Sequence, residues 1–124
     1  MTASRFAALF ALAATVGLSA CSGDSGTNGN GIGPAVQASN ALAFTPAVLN
    51  VNTGEPMRFV FGSTAHTVIF AAADGKPEDI ATPSSSKSVT RTFNTPGDFP
   101  YHCGIHPTMT GTVHVTAAPV TGTY

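Results

Sequence analysis

Tyr101-His102-Cys103-Gly104-Ile105-His106-Pro107-Thr108-Met109-Thr110-Gly111 carries a thiol, an imidazole and a thioether at three-residue intervals. Gly104, Pro107 and Gly111 exclude a regular helix here, so the three donors sit on a loop between two strands. A compact loop can turn all three toward one point. Outward from this stretch the chain reads as strands. Gly111 to Thr116 alternates, with Val113 and Val115 inward, and Phe99 to Cys103 is extended behind the turn Asn94-Thr95-Pro96-Gly97-Asp98. Lys87 to Phe93 alternates with Val89 and Phe93 inward, and His66 to Phe70 is a further strand. Met57, Phe59 and Phe61 share one face of the next, and Ala47 to Val51 is a short apolar strand ending at the turn Asn52-Thr53-Gly54-Glu55-Pro56. Residues 74–86, DGKPEDIATPSSS, read as a long polar connection with room for one helical turn. No segment keeps a 3.6-residue period. Short strands at intervals of about 8–12 residues with Gly/Pro turns predict an all-β sandwich or barrel.

Composition narrows the function. The chain has 124 residues, which excludes a multi-domain enzyme. Five Lys+Arg against six Asp+Glu supply no basic excess, so no nucleic-acid partner is expected. Low charge with 43% hydrophobic residues argues against a disordered chain. Two cysteines make no disulfide framework.

The N-terminus reads as an address. Arg5 precedes an apolar run from Phe6 to Leu18, too short for a comfortable membrane span of about 20 residues but suited to a secretory signal. The ending Leu18-Ser19-Ala20-Cys21 resembles the lipobox of bacterial lipoproteins. That resemblance implies acylation of the Cys21 thiol; the plain alternative is an ordinary signal peptide cut after Ala20. Ser22 rather than Asp after the cysteine implies, by that family's sorting rule, the outer membrane of a host that has two. Residues 22–34 are almost free of apolar side chains and read as a flexible tether reaching about 20 Å. The expected organisation is a signal peptide over 1–20, a lipidated Cys21 with its Gly/Ser/Asn linker over 21–34, and one folded domain over 35–124. Its place would be the extracytoplasmic, periplasmic face of a membrane, held by a lipid anchor.

Taken singly, the residues of the ligand stretch have ordinary readings: Cys103 as a small buried hydrophobe, Met109 as core filler, His106 as a surface histidine. The set says more. In an exported protein Cys103 has no disulfide partner once Cys21 is lipidated, and metal ligation is one reason to keep such a thiol. His66 opens a strand 37 positions upstream and can join the loop if the two strands are neighbours. Two imidazoles and a thiolate in a plane, with a weak axial thioether, form the blue-copper donor set. A structural zinc site is the weaker alternative, since a thioether is not a usual zinc ligand.

Residues 35–124 resemble a single-domain cupredoxin of the plastocyanin/amicyanin type. Phe44-Thr45-Pro46, Leu49, Val51, Gly54, Phe59, Phe61 and His66 are similar to that family's opening strands, and Pro96-Gly97, Phe99, Tyr101, Cys103, His106, Met109 and Gly111 to its closing motif. The His-to-Met spacing resembles the short loop of amicyanin. The resemblance implies a Greek-key β-sandwich holding one copper ion (Cu2+/Cu+) per chain on His66, Cys103 and His106, with Met109 axial. It also implies an electron exit at His106 inside an apolar patch with Ile105 and Pro107. Two departures stand out. Ser63 replaces a frequent Asn in the short Gly62–Ala65 loop, and Thr67 follows His66 where plastocyanin and amicyanin have Asn; its backbone N–H can still reach the ligand sulfur.

The expected function is one-electron transfer rather than enzyme catalysis, with redox proteins as transient partners of a monomer. Two alternatives come from other classes. The same ligands could store or deliver copper. The Tyr101-His102-Cys103 run also resembles copper nitrite reductases, where the histidine preceding the cysteine binds a second, catalytic copper at an oligomer interface. By the strand period of two, His102 and His114 should both point outward, which suits solvent-exposed side chains.

Overall fold

The computed structural model describes residues 33–122. The expected signal peptide and nearly all of the expected linker lie outside the described residues. Nine strands lie among the described residues: β1 (Ala35–Ala38), β2 (Phe44–Thr45), β3 (Val48–Asn52), β4 (Pro56–Phe61), β5 (His66–Phe70), β6 (Ile80–Ser84), β7 (Ser88–Thr92), β8 (Gly97–His102) and β9 (Thr110–Thr116). They form two mixed sheets, of order β2-β1-β4-β7 and β3-β9-β8-β5-β6. Most neighbours are antiparallel, but β1 runs parallel to β4 and β3 parallel to β9. This is the expected all-β sandwich.

Inward alternation builds the core. Met57, Phe59 and Phe61 of β4 face Phe99 and Tyr101 of β8 and Val113 and Val115 of β9, all buried. Phe70, Phe93 and Val68 fill between them. Tyr101 is the hub, with its ring edge-on to Phe44, Phe59 and Phe70 at centroid distances of 4.8, 5.2 and 5.8 Å. Edge-to-face pairs of this kind add to the area term. The ring lies over Gly111, its cross-strand partner, where a Cβ would collide with the hydroxyl. That hydroxyl is buried and meets no hydrogen-bond partner among the described residues.

The structure corrects the sequence reading at three places. Residues 80–84 are strand, not helix or plain connection. β6 pairs with the edge of β5, His66 opposite Ser84 and Val68 opposite Ile80, with a register irregularity between them. Its polar, proline-containing sequence fits an edge strand, which needs only one bonded side. The short strand β1 has no counterpart in the sequence reading, and β2 enters it only through the family resemblance of Phe44-Thr45-Pro46; β1 pairs with β2 and with β4, and both strands have too few residues to show a period. Cys103 falls just beyond the end of β8.

The polar stretch before β6 is tied down by charge. Asp79 accepts from the Phe70 N–H (3.0 Å) and the Lys76 ammonium (3.0 Å), while Arg91 donates to the carbonyls of Glu78, Asp79 and Thr90. Burial alone would raise the Asp79 carboxyl, but these hydrogen bonds and the nearby cations hold it below the usual range.

Candidate metal centre

The donor-bearing segments all belong to the five-stranded sheet. His66 begins β5, and Cys103 leaves the adjacent strand β8. This adjacency brings together residues 37 positions apart in the chain. The loop 103–109 is closed on itself: the Cys103 N–H donates to the Met109 carbonyl (2.9 Å) and the Met109 N–H to the His106 carbonyl (2.9 Å). These two bonds fold the loop so that its donors share one side.

His66, Cys103 and His106 come together as a metal-capable cluster, the one such group of His, Cys and acidic residues among the described residues. The two Nδ1 atoms are 3.2 Å apart. The Cys103 Sγ lies 4.0 Å from Nδ1 of His66 and 3.6 Å from Nδ1 of His106. Met109 is buried at the end of the same loop. Ile105 and Pro107 are exposed on either side of half-buried His106. His102 and His114 point outward, as expected. His114 pairs with Asp98, and His102 stands opposite Thr110 and Ile69.

The donors fit a metal ion. An ion centred in this triangle would sit about 2.1 Å from each atom, within the range of metal–nitrogen and metal–sulfur bonds. The chemistry of the rings agrees. His66 Nε2 donates to the Ser39 carbonyl (3.1 Å), which places the ring proton there and leaves the Nδ1 lone pair directed into the triangle. Burial, with the neighbouring His106, outweighs that bond and lowers the His66 pKa, which favours the neutral ring a metal needs.

The thiol is prepared in the same way. Burial pushes Cys103 up, but hydrogen bonds from the backbone of Thr67, Ile105 and His106 and from the Thr67 side chain outweigh it and bring the thiol below its ordinary value. The Thr67 N–H is 3.4 Å from Sγ and its hydroxyl 3.8 Å. The same hydroxyl accepts from the Gly104 N–H at 2.7 Å. One residue thus bonds the ligand sulfur and also stitches β5 to the ligand loop. The sequence pointed to the Thr67 N–H but not to its hydroxyl. The Ser39 carbonyl was invisible, because a backbone oxygen has no residue signature.

This geometry defines a mononuclear thiolate–imidazole site at the end of a β-sandwich. Residues 8–115 match the cupredoxin-like domain, and the chain belongs to that family. The His66, Cys103 and His106 cluster, with Met109 buried at the end of the same loop, is typical of a site for one copper ion per chain. Among solved structures the fold is similar to a copper-containing nitrite reductase from Thermus scotoductus SA-01, with 25% identity and TM-score 0.58. The match covers 73% of this chain and 24% of that one, so the chain spans about a quarter of the enzyme's length. It is also similar to a fern plastocyanin variant, with 25% identity over 66% of this chain and 99% of that one, TM-score 0.57. An amicyanin variant in its reduced Cu(I) form matches at 20% identity over 72% and 87%, TM-score 0.59, and shows the fold alone.

Proposed function

We propose that this protein is a type 1 (blue) copper electron carrier and not an enzyme. The observation that carries the reading is the closed triangle of His66 Nδ1, His106 Nδ1 and Cys103 Sγ directly beneath a surface where Ile105 is 48% exposed. His66, Cys103 and His106, with Met109, would hold the copper ion, which when bound would supply one-electron Cu(II)/Cu(I) chemistry between a donor and an acceptor protein. The protein's own residues favour the neutral His66 ring, keep the sulfur hydrogen-bonded and bury Cys103 and Met109 away from water. A donor set that barely moves between oxidation states lets the electron pass with little reorganisation.

His106, framed by Ile105 and Pro107, is the proposed contact with partner redox proteins. With a net charge of −1, encounters would depend on this patch more than on long-range steering. We further propose that the protein acts as a monomer at the extracytoplasmic face of a membrane, anchored through lipidated Cys21. Conversion of Cys21 to Ala should release it to the soluble fraction; retention on the membrane would refute the anchor.

Storage or delivery of copper is the less favoured role, because exchange calls for accessible ligands and His66, Cys103 and Met109 are buried. The nitrite-reductase-like role would need a second copper on His102. That residue stands four rungs, about 13 Å, along the sheet from the row holding His114.

The test is titration of the copper-free protein with Cu(II) under anaerobic conditions, followed by visible absorption and electron paramagnetic resonance. One-to-one uptake with an intense thiolate-to-copper band and narrow hyperfine splitting is expected. A second, colourless copper per chain would favour the enzyme reading. Uptake without the band would favour delivery or a structural zinc site.

A further inference from the structure

The parallel ladder between β1 and β4 ends at the pair Ala38 and Phe61, with one further bond from the Gly62 N–H to the Ala38 carbonyl at 3.0 Å. Beyond it the two chains part. One enters the turn 39–43, closed by Leu42 N–H to the Ser39 carbonyl (3.1 Å) and Ser39 N–H to the Ala43 carbonyl (3.0 Å), with Leu42 in the left-handed region at φ 57°. The other runs through Ser63, Thr64 and Ala65 into His66. One side chain bridges the gap. Asn40 Oδ1 accepts from the Thr64 N–H at 2.9 Å, and Asn40 Nδ2 donates to the Ser63 hydroxyl at 2.9 Å. The fit is close, because a Cβ on Gly62 would stand 2.9 Å from Asn40 Oδ1.

The residue before Asn40 is Ser39, whose carbonyl receives the His66 Nε2–H at 3.1 Å. The loop bonded by the Asn40 amide is the one that leads into His66. The amide therefore fixes the distance between the carbonyl that orients the ring and the backbone that carries it. We propose that Asn40 is a positioning residue for the metal site: its two-sided amide clamp acts as a side-chain rung beyond the end of the ladder and locks the His66 ring with Nδ1 facing the metal. Ser63 and the Thr64 N–H are the clamp's other jaw. This rests on the reading of His66 as a ligand, but the clamp acts on the ring whether or not metal is bound.

The test uses the full-length protein. In its copper-free form, solvent exchange of the His66 Nε2–H is followed by nitrogen-edited NMR. Asn40→Ala should speed that exchange on the order of tenfold, by freeing the ring to open away from Ser39. It should also weaken Cu(II) affinity by about tenfold, the low end for loss of a group that orients a metal ligand. Asn40→Asp should restore slow exchange, since a carboxylate accepts from both the Thr64 N–H and the Ser63 hydroxyl. If Asn40→Ala does not fold, Ser63→Ala removes one of the two bonds at an exposed site and should still quicken exchange. Unchanged Nε2–H exchange and copper affinity in a folded Asn40→Ala protein would overturn the proposal, even if its melting temperature fell; so would unchanged exchange in Ser63→Ala when Asn40→Ala does not fold. Failure of the unmodified protein to take up copper would instead overturn the metal reading.

Discussion

His66 and His106 offer the same ring nitrogen to the same point from opposite surroundings. His66 is fully buried at the head of a strand that lies between two others, with the Ser39 carbonyl behind its ring. His106 sits on a seven-residue loop with exposed neighbours on both sides, half-buried itself. One ligand is fixed by the whole sandwich, and the other by two hydrogen bonds within its own loop and the Gly104–Thr67 bond that ties the loop to β5. The difference separates two tasks. The inner histidine sets the geometry of the site, and the outer one gives the site its route to the surface.

The largest expected effect breaks that comparison directly. His106→Gly should leave a gap open to solvent, and free imidazole should enter it and restore the absorption band. His66→Gly should leave a closed cavity costing about 2–5 kcal/mol, by analogy with other buried truncations, and imidazole should not restore the band. Equal rescue of both variants would show that the two ligands are not differently enclosed. Absorption spectra with and without imidazole decide it.

A smaller effect is expected at Met109, which is buried but bonds the loop through its backbone. Met109→Leu keeps the shape and both backbone bonds and removes only the sulfur. The band should persist, and the potential should rise on the order of one 59 mV step, since a lost axial donor favours Cu(I). Voltammetry reads the shift; loss of copper would mean that Met109 holds the metal rather than tunes it.

The smallest effect lies away from the site. Burial raises the Tyr101 pKa, so its proton is held more tightly in the folded chain than in the unfolded one. Stability should therefore be full below pH 10 and fall above it, by at most about 1.4 kcal/mol per pH unit. Tyr101→Phe removes the partnerless hydroxyl and should abolish that slope. It should also raise the melting point by several degrees, corresponding to about 1 kcal/mol. Thermal melts of both proteins between pH 8 and 12 would show it.

Sequence pattern disclosed the parts that repeat. Alternation at Met57, Phe59 and Phe61, and at Val113 and Val115, placed the core faces of β4 and β9. Donor spacing along 103–109 marked the loop. What stayed hidden has no period and no side-chain signature. β6 is polar because an edge strand can be, so it read as connection. β1 and β2 are too short to alternate. The Ser39 carbonyl and the Asn40 amide act on His66 from 27 and 26 positions away in the chain, a proximity created only by the parallel pairing of β1 with β4.

The place of β9 in its sheet governs the order of assembly. It is the last strand among the described residues, yet it lies between β3 and β8. Until residue 116 is available, β3 has no neighbour, and the five-stranded sheet is split. Three of the four donors lie in the segment just before β9. A growing or partly delivered chain therefore possesses neither a closed sheet nor a site, and gains both in one late event. Such dependence on distant pairings slows folding. It also makes copper uptake a report that β9 has joined its sheet.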